Sequence, residues 1–355
     1  MSGGFDSVPF SAVDLNDAFF DSLKLDYPGF SDWYARKAST GESAFVVTDD
    51  EGVMAFLYLK PEDGEPISLL DDELPGTPRL KIGTLKISER SRGDRLGEGA
   101  IGMALWQWRD SHLREVYVTV FEKHAPLVGM LKKFGFVRAG QKPNGESVYV
   151  KARQGLSYVT AYAPFPFINP GFPEANILVI EQDYHDQLFP YSELARTPQE
   201  VMSVTAGNGV TKVYVGHGRE MAAQPGNPVL IYRKFMGDRP GFQSVVTSYG
   251  VVSDVRQFKR DGQTLLPYEE YRELIKNKSV FSDAELDQHW NERNVVVVEL
   301  VYLGFFGEGH NINWVWLKEH NLWRECHPNQ AVYAPDEFFE ILNGGGVPRE
   351  DVVVD

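Results

Sequence analysis

Apolar residues in the first 155 positions form short runs that alternate between strand-like and helix-like spacing. β-Branched and aromatic runs bounded by turn residues predict strands, and apolar residues three or four positions apart predict helices. The predicted strands are Ala44–Val47, Met54–Leu59, Leu85–Ile87, Val116–Val120 and Ser147–Lys151, and the predicted helices are Leu15–Leu23, Ser31–Ala38, Ala100–Arg109 and Pro126–Phe134. The first two strands flank the turn Asp49–Gly52 and predict a hairpin. A mixed sheet with flanking helices is expected for this half.

Strand patterns dominate the second half. The predicted strands are Ile177–Ile180, Lys212–Val215, Val229–Tyr232, Ser244–Val252 and Val295–Tyr302, and helical spacing occurs near Tyr268–Ile275, Asp283–His289 and Pro335–Leu342. This pattern predicts a β-sheet or barrel with peripheral helices. The fold class expected for the chain is α+β.

A proline-rich segment separates the two halves. Residues 156–175 carry prolines at 164, 166, 170 and 173, which favour an extended connection. The segment also contains several Phe and Tyr residues, unlike a free polar linker, and is expected to pack against one or both domains. The predicted domains are therefore 1–155 and 176–355, joined by 156–175.

The charge balance is acidic, with a formal net charge of −15. There are 19 basic and 23 acidic residues up to position 155 and 16 and 27 after it, so the halves carry −4 and −11. This balance argues against non-specific binding to a phosphate backbone. Nucleic-acid binding by the second half would require a local basic pocket.

The sequence predicts a cytoplasmic protein that does not enter a membrane. Its apolar runs are far shorter than the roughly 20 residues that cross a bilayer. Residues Met1–Asp6 lack the basic and apolar regions of a secretory signal, and the single cysteine, Cys326, fits a reducing compartment. The histidine and cysteine spacings match no zinc pattern, so no metal is expected.

The most informative segment is Leu85–Ile101, where a predicted strand enters an Arg/Gly-rich turn that opens a helix. The start of a helix presents free backbone N–H groups and the positive end of its dipole, which together attract a pyrophosphate. Glycines at 93, 97 and 99 permit close approach of a ligand, and arginines at 90, 92 and 95 add positive charge. An ordinary solvated strand-to-helix turn without a ligand is the alternative interpretation.

This segment resembles the acyl-CoA loop of the GNAT acetyltransferase superfamily, Arg/Gln-x-x-Gly-x-Gly/Ala between the fourth strand and the third helix. Arg92 matches the first position and Gly97 the last, whereas Arg95 replaces the middle glycine. Val116–Val120 and Leu131–Phe136 resemble the family's fifth strand and the end of its next helix. The resemblance implies acetyl-CoA as substrate, with the pantetheine paired to Lys86 and Ile87. The pyrophosphate would be held by Arg92, Gly93, Arg95, Leu96, Gly97, Glu98 and Gly99.

Two positions depart from the family pattern in the helix that precedes Gly135. Leu131 stands where the family usually has a tyrosine that protonates the leaving thiolate, and His124 stands where an asparagine is frequent. A thiolate can leave without full protonation, so the missing tyrosine weakens catalysis without excluding it. The candidate bases are Glu122, His124 and Glu89, and His124 fits equally well as a helix cap.

The strands of the second half resemble a PUA-like barrel of the ASCH or EVE kind, chiefly in Pro228–Arg233 and Ser244–Ser253. Members of that superfamily often bind RNA or modified bases. Stacking and hydrogen bonds to a base edge can hold a flipped base without a basic surface. The candidate base-binding residues are Tyr214, Tyr232, Arg233, Trp314 and Trp316, with core packing as the alternative for each aromatic residue. Trp314 and Trp316 would share one face if their segment were a strand.

The leading hypothesis is an acetyl-CoA-dependent N-acetyltransferase whose PUA-like domain recognises the acceptor. The acceptor would be an RNA-linked amine, such as an aminoacyl-tRNA or a ribosome-associated amine. One alternative is a non-catalytic acyl-CoA sensor that binds a modified base or RNA. Another is an acetyltransferase for small-molecule amines, which an acidic surface would attract.

Overall fold

The computed structural model describes residues 4–190, 205–237, 243–327 and 330–354. The chain divides into two compact units, Met1–Gly155 and Leu156–Asp355, here the N-terminal and C-terminal units. Within the described ranges, every helix is too short or too polar to traverse a bilayer.

The N-terminal unit is built on a mixed seven-stranded sheet. Its strands are β1 (Asp6–Pro9), β2 (Ser43–Asp49), β3 (Gly52–Glu62), β4 (Ile67–Ser68), β5 (Glu73–Leu74), β6 (Arg79–Ile87), β7 (Glu115–Val120), β8 (Val137–Gln141) and β9 (Ser147–Ala152). The main sheet has the order β1-β2-β3-β6-β7-β9-β8, and β4 and β5 pair separately. Among the described strands of this sheet, only β6 and β7 pair in parallel. The predicted mixed sheet is confirmed, and β6 is its fourth strand along the chain.

The helices of this unit pack on both faces of the sheet. They are α1 (Asp21–Asp26), α2 (Phe30–Ser39), α3 (Leu96–Asp110) and α4 (Ala125–Lys133). The Lys86 amino group contacts Phe19 just before α1, while Ile87 approaches Gly97 at the start of α3. Adjacent strand residues point to opposite faces, so α1 and α3 lie on opposite sides of β6.

The helix predicted over Leu15–Leu23 is shorter in the structure. A 3₁₀ turn, Ala18–Phe20, precedes α1, which begins only at Asp21. The Asp17 carboxylate accepts hydrogen bonds from the backbone N–H groups of Phe19 (2.8 Å) and Val53 (2.9 Å). This cap starts a new turn at Asp17 and links that turn to β3. The predicted helix is therefore interrupted at Asp17, although the apolar residues keep helical spacing.

The C-terminal unit contains an eight-stranded mixed sheet. Its strands are β10 (Ala175–Glu181), β11 (Thr211–Gly216), β12 (Pro228–Lys234), β13 (Val245–Arg260), β14 (Gln263–Thr264), β15 (Val295–Phe305), β16 (Ile312–Asn313) and β17 (Val332–Tyr333). The main path is β11-β15-β13-β12-β10-β17, with β10 parallel to β12. The described strands thus form an open sheet with β11 and β17 at its edges, and the predicted barrel is not supported. Short β-branched runs do not distinguish an open sheet from a closed one.

Seven helices are described in this unit. They are α5 (Gln182–Leu188), α6 (Thr205–Asn208), α7 (Tyr268–Ile275), α8 (Asp283–Asn291), α9 (Trp314–Glu319), α10 (Pro335–Gly344) and α11 (Arg349–Val352). The strand considered for Trp314 and Trp316 is wrong, because Asn313 accepts a hydrogen bond from the Trp316 N–H and caps α9. Residues two apart on a helix point about 200° apart, so these two side chains do not share a face.

The segment 156–175 packs into the C-terminal unit. Phe165, Phe167 and Ile168 are fully buried. The Ile168 N–H donates to the Val352 carbonyl at 2.7 Å, and the Tyr162 hydroxyl donates to Glu299 at 3.0 Å. Burial of its aromatic residues, as expected from composition, makes this segment part of the unit's core.

Replacing Asp17 by alanine should lower the free energy of unfolding by about 1–2 kcal/mol, because the start of the turn and Val53 each lose a hydrogen-bond acceptor. Urea unfolding measures the change. Asp14→Ala, which removes a carboxylate from an exposed turn, is the control and should change stability by less than about 0.5 kcal/mol. Equal effects of the two substitutions would contradict the assignment.

Candidate functional site

The parallel strands β6 and β7 separate partway along their length. Their pairing runs from Arg79 with Glu115 to Ile82 with Val118. Beyond that pair β6 continues to Ile87 and β7 to Val120. The last five residues of β6 therefore have no β7 partner on that edge. This divergence is called the β6–β7 split below.

A bulge accounts for the split. Tyr58 pairs with Thr84 and Leu59 with Ile82, so Gly83 has no opposite residue on β3. A Cβ atom at Gly83 would lie 2.8 Å from Cδ1 of Tyr58, which explains glycine at this position. Bulges bend the strand that carries them, and this one lies directly after the last β6–β7 pair.

The candidate acyl-CoA loop follows the split. A 3₁₀ turn, Glu89–Ser91, leads to Gly93 (φ +98°) and to Arg95 (φ +61°), which is the N-cap of α3. Both positive φ values compress the chain into a tight turn. The loop joins the fourth strand of the sheet to the third α-helix, the position that the GNAT resemblance implies. It places the N-terminal end of a 15-residue helix beside the end of β6.

The predicted loop residues fall into two groups. The Arg92 side chain is 78% exposed and pairs with Glu89 at 3.1 Å, so its guanidinium is accessible to a ligand. Arg95 is instead buried and pairs with Glu98 at 2.6 Å, an interaction that stabilises the first turn of α3. A Cβ atom at Gly97 would lie 3.4 Å from the Met130 methyl group, so this glycine sits tightly between β6 and α4.

Lys86 contributes to the candidate site through its backbone. Its Nζ atom donates to the Phe19 carbonyl and to the Ser22 hydroxyl, on the α1 side of the sheet. Burial lowers the pKa of this amine, although nearby carboxylates oppose the effect. The backbone of Lys86 and Ile87 lies on the edge opened by the split.

The three predicted bases have separate environments. Glu122 accepts a hydrogen bond from the Tyr149 hydroxyl at 3.0 Å, and its pKa is held below the usual range by hydrogen bonds from Ser147 and Tyr149. His124 occupies the N-cap of α4 without a side-chain capping bond, and its Nε2 lies 3.9 Å from Asp26. Glu89 is exposed and pairs with Arg92.

Leu131, at the position of the family's tyrosine, is buried in α4 at 1% exposure. Its side chain packs in the core and offers no proton. This position therefore provides no group that could protonate the thiolate.

A buried carboxylate that the sequence analysis missed lies beside the split. Glu146 is 5% exposed. Its Oε1 accepts hydrogen bonds from the hydroxyls of Tyr27 and Thr119, both at 3.2 Å, and its Oε2 accepts one from Asn144 Nδ2 at 2.8 Å. Thr119 is the first β7 residue beyond the last pair with β6. Burial and the Glu146 charge raise the pKa of Tyr27.

In the C-terminal unit, the structure brings only some of the predicted residues together. Tyr232 lies 5.7 Å from Trp323 and Trp314 lies 6.3 Å from it, between ring centroids. These three residues are called the Trp323 cluster. Trp316 stacks instead on His320 at 3.8 Å, and Tyr214 lies on the edge strand β11. Trp323 could be found only from the structure, because no local pattern links it to Tyr232.

Arg233 belongs to a hydrogen-bond network that also holds α5. It donates to both oxygens of Asp186 at 2.8 Å, and Asp186 contacts His185 Nδ1 at 2.9 Å. Nε2 of the fully buried His185 lies 2.8 Å from the Thr247 hydroxyl. Burial would raise the pKa of Asp186, but hydrogen bonds from Arg233 and His185 outweigh it and lower the pKa to about 2.

The described part of the chain contains no group of three or more His, Cys, Asp or Glu residues that could hold a metal ion.

Comparison with known proteins gives matches only among solved structures. No family model and no curated protein matches the sequence. The NatC complex bound to Gag peptide and CoA matches at 14% identity and TM-score 0.29, covering 43% of this chain and 99% of that one. Arabidopsis thaliana NAA60 with a bisubstrate analogue matches at 14% identity and TM-score 0.32, covering 42% and 97%. AtaTR bound with AcCoA matches at 13% identity and TM-score 0.31, covering 41% and 94%.

Replacing Asp186 by asparagine should remove a pH-dependent part of the stability. An aspartate pKa of about 2 in the folded state, against about 3.9 unfolded, contributes about 2.5 kcal/mol at pH 7. Because the folded pKa is the lower one, this contribution is present above pH 4 and is lost as the pH falls. In urea unfolding, the free-energy difference between wild type and Asp186→Asn should be about half as large at pH 3 as at pH 7.

Asp71→Asn, at an exposed aspartate, is the matched control and should give no such trend. If wild type were more stable than Asp186→Asn by the same free energy at pH 7 and pH 3, a role for the Asp186 charge would be contradicted.

Proposed function

We propose that the N-terminal unit binds acetyl-CoA and transfers its acetyl group to an amine. The β6–β7 split carries this proposal, because it opens a strand edge that leads directly into the Arg92–Gly99 turn and the start of α3.

The parts of acetyl-CoA match these features in order. The amide groups of the pantetheine can pair with the open edge of β6 near Lys86 and Ile87, as an added strand would. The pyrophosphate would then reach the first turn of α3, where the positive end of the helix dipole and the Arg92 guanidinium favour negative charge. The thioester would lie within the split, where a backbone N–H of β6 can polarise its carbonyl.

Transfer would proceed by direct attack of the amine on the thioester. This reaction depends mainly on the positions of the two reactants and on stabilisation of the developing oxyanion. The CoA thiolate is a stable leaving group, so the buried Leu131 does not preclude turnover. A non-catalytic acyl-CoA sensor is the alternative, and measured turnover separates the two.

For the acceptor, we propose an RNA-linked amine that the C-terminal unit helps to recognise. The Trp323 cluster supports this, because its half-buried Trp314 and Trp323 rings could stack on a base. Arg233 is less suited to contact RNA than its sequence position suggested, because Asp186 occupies it through two hydrogen bonds. A cationic small-molecule amine is the competing acceptor, favoured by the net charge of −15.

Replacing Gly97 by leucine should weaken CoA binding by at least tenfold, about 1.4 kcal/mol, because the added side chain at the start of α3 fills the space towards β6 and α4. Isothermal titration calorimetry measures the affinity, and circular dichroism checks the fold. Gly129→Leu, on α4 with nothing within 4 Å of an added Cβ, is the matched control and should bind CoA normally. Wild-type affinity in the Gly97 variant would refute the loop assignment.

Labelled acetyl-CoA incubated with total tRNA, ribosomes and a polyamine panel should label tRNA or ribosomes. Trp314→Ala should reduce that labelling without changing CoA affinity. Label on polyamines alone, unaffected by Trp314→Ala, would reject the RNA-linked acceptor in favour of a small amine.

A further inference from the structure

Glu146 and the candidate CoA loop lie on opposite faces of the sheet. The Arg92–Gly99 turn leads into α3, whereas Glu146 is bonded to Tyr27 at the end of α1. The two faces of the sheet, one covered by α1 and the other by α3, are connected where β6 and β7 no longer pair. Thr119 stands at this opening, with its hydroxyl directed to Glu146 on the α1 side.

Acetyl transfer requires a proton acceptor near this opening. An alkyl ammonium has a pKa near 10.4 and carries its proton at neutral pH, so it must lose that proton before it attacks the thioester. The most exposed carboxylate candidate, Glu89, is paired with Arg92, and Glu122 is bonded to Tyr149.

Resting on the proposed function, we propose that Thr119 and Glu146 form a proton relay that activates the acceptor amine. The amine would approach from the α1 face and donate a hydrogen bond to Thr119 Oγ1. The Thr119 hydrogen is already directed to Glu146 Oε1, so the oxygen has a lone pair free to accept one. Thr119 contacts the reacting amine, and Glu146 is the final proton acceptor.

The surroundings of Glu146 favour a relay over direct contact with the amine. Tyr27 and Thr119 occupy Oε1, Asn144 occupies Oε2, and the Lys142 amino group lies 3.6 Å from Oε2. With 7% of its side chain exposed, the carboxylate offers little surface to a substrate. These donors fix the position of the carboxylate.

The protons and bonds balance in two stages. The ammonium passes one proton to Thr119 Oγ1 as the Thr119 proton moves to Glu146, which leaves a neutral amine and a protonated carboxyl. The amine nitrogen then bonds to the acetyl carbon, the carbon–sulfur bond breaks, and the second nitrogen proton ends on the sulfur of CoA. Glu146 returns its proton to solvent.

The test compares two acceptors in the full-length protein, spermidine and hydroxylamine, by following release of the CoA thiol. Spermidine is protonated at pH 7 and needs the relay, whereas hydroxylamine is largely neutral. Thr119→Val and Glu146→Gln should each lower kcat for spermidine by about 100-fold. The loss for hydroxylamine should be under about threefold. Thr119→Ser keeps the hydroxyl and should restore most of the spermidine activity.

The loss of kcat that Thr119→Val and Glu146→Gln cause with spermidine should also become smaller as the pH rises towards 10, since the amine then loses its proton in solution. Thr40→Val, which removes an exposed hydroxyl at the end of α2, is the matched control and should behave as wild type. Equal losses with both acceptors, or a deficit independent of pH, would overturn the relay. Wild-type protein that binds CoA but acetylates neither amine would overturn the relay as a device that activates free alkyl amines, whereas absence of CoA binding would reject the proposed function itself.

Discussion

The bulge at Gly83 is the constraint on which the candidate site depends. Without it, β6 and β7 would continue to pair and satisfy each other's backbone groups, leaving no edge for a ligand. With it, β6 bends away after Ile82 while it stays paired to β3 as far as Ile87. A single residue without a partner therefore creates an opening inside a sheet that is otherwise continuous. The close approach of Tyr58 favours glycine at that residue, because an added Cβ would force the tyrosine ring to move.

Much of the secondary structure follows from local patterns, because burial on one side imposes a period on the sequence. The predicted helix Tyr268–Ile275 is confirmed at both ends, and five strands of the C-terminal unit are confirmed within a few residues except at the end of β13. The strand β8 was missed although Asn144-Gly145 is a strong hairpin signal. Residues Val137–Ala139 of this edge strand are all exposed, so its sequence shows no alternation of buried and exposed positions.

The candidate site was only partly predictable, for a related reason. The Arg92–Gly99 turn is contiguous in sequence, so its residue types and spacing carry the information. The hydrogen bond between Thr119 and Glu146 joins β7 to the loop between β8 and β9, and each residue looks ordinary in its own segment. Likewise, the bond between Arg233 and Asp186 depends on the parallel pairing of β10 with β12, which no local pattern encodes.

The burial of Leu131 on α4 and the position of Glu146 beside the split are related. Where a family member would place a tyrosine on the helix, this chain places Leu131, which adds apolar contacts to the core of α4. A buried leucine contributes roughly 1.5–3 kcal/mol of hydrophobic stability, whereas a hydroxyl there would need a partner to avoid a desolvation cost. The buried Glu146 carboxyl lies instead on the opposite face, where Tyr27, Asn144 and Thr119 donate hydrogen bonds to it. The apolar packing of α4 and the proposed relay from Thr119 to Glu146 therefore lie on opposite faces of one sheet. The β6–β7 split connects these two faces.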